Sequence, residues 1–277
     1  MPTTKAHSIV VVLGSGRSGT SLLMQALAGM GMRVSQEMVA TRPDNPEGFF
    51  EDARIVRIQA DLLRALGAWP YHPLPADWLE RPETAAAGDA LRCVLEERLA
   101  GGEGVWGFKD PRTASFLPLW QRLFVELDIA PRYILALREP GSILRSFMAA
   151  YETPAETAEQ VWLQRICDAL RHTRADCHIV QYEDWFSRAS EVAGALARFT
   201  GLDVAASPEP LIRPDLNRSC GPEYAFCNPH ARALHAALKN CRGDAFEREA
   251  LLRIVAEAQT PHANGASPGL MRVKAGP

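Results

Sequence analysis

The sequence has no excess of positive charge: 30 Lys and Arg stand against 33 Asp and Glu, a formal net charge of −3. That balance argues against general affinity for nucleic acid or an anionic membrane, so any positive potential must be local. No CxxC pair occurs among the six cysteines, which read as reduced, half-buried small residues. Cys220, Cys227, His230, His235 and Cys241 fall close together but fit no compact ligand spacing, and no metal is expected. No internal repeat is present. Met1–His7 carries no apolar signal core, and the run Ile9–Leu13 is too short to span a bilayer, so the expected location is the cytoplasm with no membrane insertion. One further absence is local. Gly14 and Gly19 have the separation of a GxxxxGK[ST] nucleotide loop, but Thr20 stands where the lysine should be.

What is there begins around that loop. SIVVVLGSGRSGTSLLMQ, Ser8 to Gln25, reads as strand, Gly-rich loop and helix. A helix starting near Gly19 aims free N–H groups and the positive end of its dipole into the loop, which makes an anion site, and Arg17 adds a cation. The 277 residues, 47% of them hydrophobic, can bury a large core. Apolar strands alternate with helices, which predicts an α/β fold: a P-loop-like central parallel β-sheet flanked by helices on both faces. The expected organisation is one domain over residues 1–260 and a disordered tail over 261–277.

Along the chain, Arg33–Ser35 reads as a short strand, and Thr41–Asp52 as an irregular loop that places Glu47, Glu51 and Asp52 around Phe49 and Phe50. Burial against those rings would suit a carboxylate to work as a base. Ala53–Leu66 is helical, Trp69–Pro82 is a Pro- and aromatic-rich loop, and a helix spans about Asp89–Leu99. Val105–Phe108 is a strand followed at once by Lys109-Asp110-Pro111-Arg112, charged residues where open α/β sheets bind ligands. After a helix over Phe116–Leu127, strand Arg132–Leu137 ends at Arg138, and Ser146 lies two turns into the next helix. Arg138 and Ser146 can hold one phosphate between them, whereas Arg145 points about 100° away around the helix. Thr153 reads as the cap of a helix reaching Arg174. His178–Tyr182 is the last strand, Glu191–Thr200 a helix, Leu211–Pro229 irregular, and short helices fall near Ala231–Lys239 and Ala245–Ala258.

These motifs together resemble the sulfotransferases that use 3'-phosphoadenosine 5'-phosphosulfate (PAPS). GSGRSGTS is similar to that family's 5'-phosphosulfate loop, and Arg138 with Ser146 in REPGSILRS to its 3'-phosphate signature. NPEGFFED, FKDPR, VQYEDW and PDLNRS add to the likeness in order and spacing, with a lean towards bacterial members resembling the carbohydrate or Golgi-type branch. The resemblance implies a PAPS-dependent sulfotransferase without a metal. Gly16, Arg17, Ser18, Gly19, Thr20 and Ser21 would hold the 5'-phosphate, Arg138 and Ser146 the 3'-phosphate, and Arg218 would return to the nucleotide. Lys109, with Arg17, would stabilise charge on the leaving group. Cytosolic members commonly place a base histidine where this chain has Pro111, so the base is expected at Glu51, with Glu47 in reserve. The expected acceptor is a small molecule or saccharide, a carbohydrate or other aliphatic alcohol; no nucleic-acid partner is implied, and oligomeric state stays open. Two alternatives remain at this point: a P-loop kinase or NTPase with a degenerate loop, and a non-catalytic PAP(S)-binding module.

Overall fold

The computed structural model describes residues 8–41, 48–203 and 226–259. Four strands, β1 (Ser8–Leu13), β2 (Trp106–Lys109), β3 (Ala130–Leu137) and β4 (His178–Gln181), form one parallel sheet in the order β2-β1-β3-β4. The α/β expectation holds. The near-continuous apolar runs follow from burial on both faces. Ile9, Val11 and Leu13 pack into one core layer, while Val10 and Val12 pack into the other.

The first layer is covered by α2 (Ala53–Ala65), α3 (Pro82–Ala100), α4 (Thr113–Glu126), α5 (Pro140–Tyr151), α6 (Ala155–Thr173), α9 (Pro229–Leu238) and α10 (Arg248–Gln259). The second is covered by α1 (Thr20–Gly29), the short α7 (Asp184–Ser187) and α8 (Ala189–Thr200). No described helix is long and apolar enough to cross a membrane.

The register positions the site. Val12 pairs with Lys109, Leu13 with Leu135, and Leu137 with Gln181, so all four strands end at one edge of the sheet. The chain leaves β1 for β2 on one side and then crosses to β3 on the other. The crevice outside the carboxyl ends of β1 and β3 is thus the topological switch point, where open α/β sheets bind ligands.

Three local expectations change. α3 begins at Pro82, well before Asp89, because proline suits the first helical turn, and Thr84 Oγ1 donates to Trp78 O in the preceding 3-10 turn, Trp78–Glu80. α6 is preceded by Pro154 rather than capped by Thr153, whose buried hydroxyl has no partner among the described residues. Arg33–Ser35 contributes only a single bridge, Arg33 to Trp106, instead of a strand. Glu47, Arg218, the PDLNRS segment, Cys220 and the 261–277 tail lie outside the described residues.

Candidate active site

The loop after β1 can be built only with its glycines. At Gly14 an added Cβ would sit 2.8 Å from Ala136 O, and at Gly19, in the left-handed region at φ 83°, 2.2 Å from the Tyr182 ring. Arg17 also adopts a left-handed conformation, φ 72°, without a glycine's freedom. The buried Ser18 donates from Oγ to Ser15 O at 2.7 Å and so fixes the loop from within. Helix α1 then begins at Thr20 with no side-chain cap, leaving its first N–H groups directed at the crevice. Gly16 faces Pro111, with 3.9 Å between an added Cβ and the Pro111 ring, so the loop and the turn after β2 are adjacent.

Arg17 also joins the glycine loop to α5 and to the residue after β3. Its Nε donates to Ser146 Oγ at 2.9 Å across 129 residues, and its carbonyl accepts from Arg138 Nη1 at 3.3 Å. Arg138 and Ser146, paired in the sequence reading, therefore belong to one arch that runs through Arg17. Arg138 lies 4.2 Å from the Tyr182 ring centre, a cation–π contact, and burial pulls its pKa below the ordinary guanidinium range. Tyr182 follows β4, its N–H held by Leu137 O at 2.7 Å, so one aromatic ring supports both Gly19 and Arg138. Sequence reasoning missed that role. The available signal was its place one residue beyond the last strand, at the same sheet edge as Arg138. Arg145 is directed elsewhere: it donates to Ser142 Oγ and lies 4.0 Å from Glu139, the residue that caps α5.

Lys109 and Glu51 meet at the other end. Lys109 Nζ donates to Glu51 Oε1 at 2.7 Å, and both residues are buried, 3% and 7% exposed. Several contacts hold Glu51 in place. Phe50 before it is left-handed at φ 53°, and Glu51 O accepts from Val39 N. Asp52 after it caps α2 and pairs with Arg98 at 2.8 Å. Ser21 Oγ donates to Phe49 O at 3.1 Å, so the hydroxyl expected on the donor phosphate spends its only proton on the loop that carries Glu51.

Beneath these residues runs a polar network that the sequence did not foreshadow. Asp110 accepts from Gln59 Nε2 at 2.8 Å and from Arg112 Nε at 2.8 and 3.0 Å. Arg165 donates to Ser115 Oγ, which reaches Asp168. Burial works against charge on Arg112, yet Asp110 outweighs it and, with Glu51 and Tyr151, holds the guanidinium pKa above its usual range. Among the described residues no group of three or more His, Cys, Asp or Glu could hold a metal ion.

The parallel sheet thus brings a glycine loop, a cationic arch at the switch point and a buried Lys–Glu pair together at one carboxyl edge. A model of the sulfotransferase family matches residues 9–206, and the chain belongs to that family, whose chemistry is sulfuryl transfer. No curated protein matches it. Among solved structures, the sulfotransferase domain of the Synechococcus PCC 7002 olefin synthase is similar over 93% of this chain and 96% of its own, at 18% identity and a TM-score of 0.52, which speaks for the fold. The sulfotransferase domain from the curacin biosynthetic pathway aligns at 16% identity over 92% and 98%, TM-score 0.47. A Mycobacterium avium sulfotransferase aligns at 14% over 91% and 76%, also at 0.47.

Proposed function

We propose that this enzyme moves a sulfuryl group from PAPS to the hydroxyl of a small-molecule or saccharide acceptor, an aliphatic alcohol, with Glu51 as general base. The observation that supports the reading is the Arg17–Ser146 hydrogen bond, because with the bond from Arg138 to Arg17 O it joins the glycine loop, the end of β3 and α5 into one cationic arch. A donor with a 3'-phosphate as well as a 5'-phosphosulfate uses both ends. An ordinary nucleoside triphosphate leaves Arg138 and Ser146 idle and lacks its lysine at Thr20.

In this reading the N–H groups after Gly16, with Ser18, Gly19 and Thr20, take the 5'-phosphate, and Arg17 neutralises it. Arg138 and Ser146 take the 3'-phosphate. Glu51 removes the acceptor's hydroxyl proton as the acceptor oxygen bonds to sulfur and the bond from sulfur to the 5'-phosphate oxygen breaks. The products are the sulfate ester and 3'-phosphoadenosine 5'-phosphate (PAP). Lys109, within reach of Glu51, offsets the charge growing on the sulfuryl and phosphate oxygens, a contribution of ~10²–10³ in rate for one such donor. A placed base contributes ~10²–10⁴. The carboxylate base, with Pro111 where a histidine would stand in many relatives, favours an aliphatic or carbohydrate hydroxyl over an already acidic phenol.

Calorimetry with PAP, ADP and ATP tests the donor. PAP should bind at least tenfold more tightly than ADP, and Ser146→Ala together with Arg138→Ala should remove that margin. Equal or tighter binding of ATP would overturn the reading.

A further inference from the structure

Beyond the Lys109–Glu51 pair the turn after β2 presents Arg112 to a cluster of rings. Tyr71 packs against Phe147 at 5.5 Å and Tyr151 at 6.4 Å, and Phe147 and Tyr151 lie 4.6 Å apart on α5. α5 is the helix whose Ser146 receives Arg17, so donor cradle and ring cluster share one rigid element. Arg112 is in electrostatic reach of Tyr71, Tyr151 and Glu51.

The guanidinium is oriented from one side only. Buried Asp110 takes its Nε edge with both carboxylate oxygens and its backbone N–H as well, while the hydrogen bonds this side chain donates among the described residues all leave from Nε. The side chain is 19% exposed, so a ligand can reach part of it. A fork held in this way presents parallel N–H donors suited to a carboxylate or phosphate. Partner oxygens there would also relieve the cost of leaving guanidinium donors half-buried and unmade.

We propose that Arg112 is the specificity-determining residue of the acceptor site, and that the acceptor carries an anionic oxygen group near its reacting hydroxyl, with its carbon body against Tyr71, Phe147 and Tyr151. Tyr71 adds a phenolic hydroxyl, a hydrogen-bond donor, beside the Phe147 and Tyr151 rings. The inference rests on the sulfuryl-transfer reading and narrows its acceptor from any aliphatic alcohol to an acidic one.

The test measures PAP release from PAPS by the whole chain with 3-hydroxybutyrate, 3-phenyllactate and glucuronate, each against its amide, and with glycerol 3-phosphate against glycerol. At least one anionic member should be preferred about tenfold to a hundredfold in kcat/KM, the range expected for a charge-assisted contact. Arg112→Gln should abolish that preference by raising KM for the acid while PAP affinity, read by calorimetry, stays the same. Equal use of acid and neutral partner, turnover of none of them by a chain that binds PAP, or a preference that survives Arg112→Gln would overturn the proposal. So would a fall in PAP affinity in Arg112→Gln, which would move Arg112 to the donor. Failure of the parent chain to bind PAP would refute the underlying donor reading instead.

Discussion

Replacing Lys109 by methionine separates what the Lys109–Glu51 pair does for stability from what it does for turnover. The ammonium and carboxylate are 2.7 Å apart with side chains only 4% and 10% exposed, so removing one partner leaves a buried charge unmatched. Breaking such a pair costs about 3–5 kcal/mol. For a chain this long that is a fall in Tm of roughly 6–20 °C. Glu51→Gln should destabilise in the same direction by stranding the ammonium. The double variant, Lys109→Met with Glu51→Gln, removes both charges and should recover most of the loss, a coupling well outside the ~0.5 kcal/mol scatter of independent sites. Turnover should behave differently: each single variant loses about 10²-fold or more, and the double variant regains none of it. Thermal melts by circular dichroism and PAP release with PAPS saturating measure the two quantities. Stability losses that simply add in the double variant, or single variants that melt with the parent, would refute the buried-pair reasoning. Full turnover in Lys109→Met would remove Lys109 from the chemistry.

Three further outcomes follow from the geometry. Ser21→Ala removes the bond to Phe49 O and should lower kcat several-fold through Glu51, about what one lost hydrogen bond of ~0.5–1.5 kcal/mol allows, while leaving PAP affinity within twofold; a large affinity loss with normal kcat would return Ser21 to the phosphate. Gly19→Ala drives a methyl into the Tyr182 ring and adds about 1 kcal/mol of left-handed strain, so PAP binding by calorimetry should weaken more than tenfold as Tyr182 and Arg138 shift together. The third concerns pH. Burial alone would raise the Asp184 carboxyl, but hydrogen bonds from Arg188 and Arg242 outweigh it and hold the pKa below its ordinary 3.8. The ionised group therefore contributes stability above the unfolded pKa, and that contribution is lost as pH falls through the folded one. Asp184→Asn should melt lower than the parent at pH 7, and the gap should narrow progressively in melts taken at pH falling below about 4; a constant gap would contradict the assignment.

Much of the fold was legible because the strands are buried on both faces and flanked by glycine or charge. Ile9–Leu13, Val105–Phe108 and Arg132–Leu137 declare themselves by composition, and the places of Lys109 and Arg138 at the sheet edge follow from where the last two of these stop. The expectation at Glu51 rests on the family resemblance, and its pairing with Lys109 across 58 residues is a contact no local pattern encodes. The Arg17–Ser146 bond was not legible either, since it depends on β3 lying beside β1. The same holds for Tyr182, which reaches Gly19 only because β4 pairs with β3. The Gln59–Asp110–Arg112 network escaped notice for a different reason. Gln59 sits on α2 among polar residues and looks like a solvated face, and only the packing of α2 over the end of β2 buries it. The early start of α3 was hidden by Pro82, which closes a loop or opens a helix with equal ease.

The proposed reaction passes a sulfuryl group from PAPS to an acceptor oxygen under the control of Glu51. The direct measurement incubates the chain with PAPS labelled in its sulfuryl group and a pool of hydroxylated acceptors, and follows label and PAP together. Label should appear in an acceptor sulfate ester, one PAP should form for each ester, and Glu51→Gln should lose both at least a hundredfold. Labelled transfer at the parent rate in that variant, or PAP formed with no labelled acceptor, would contradict the proposed reaction.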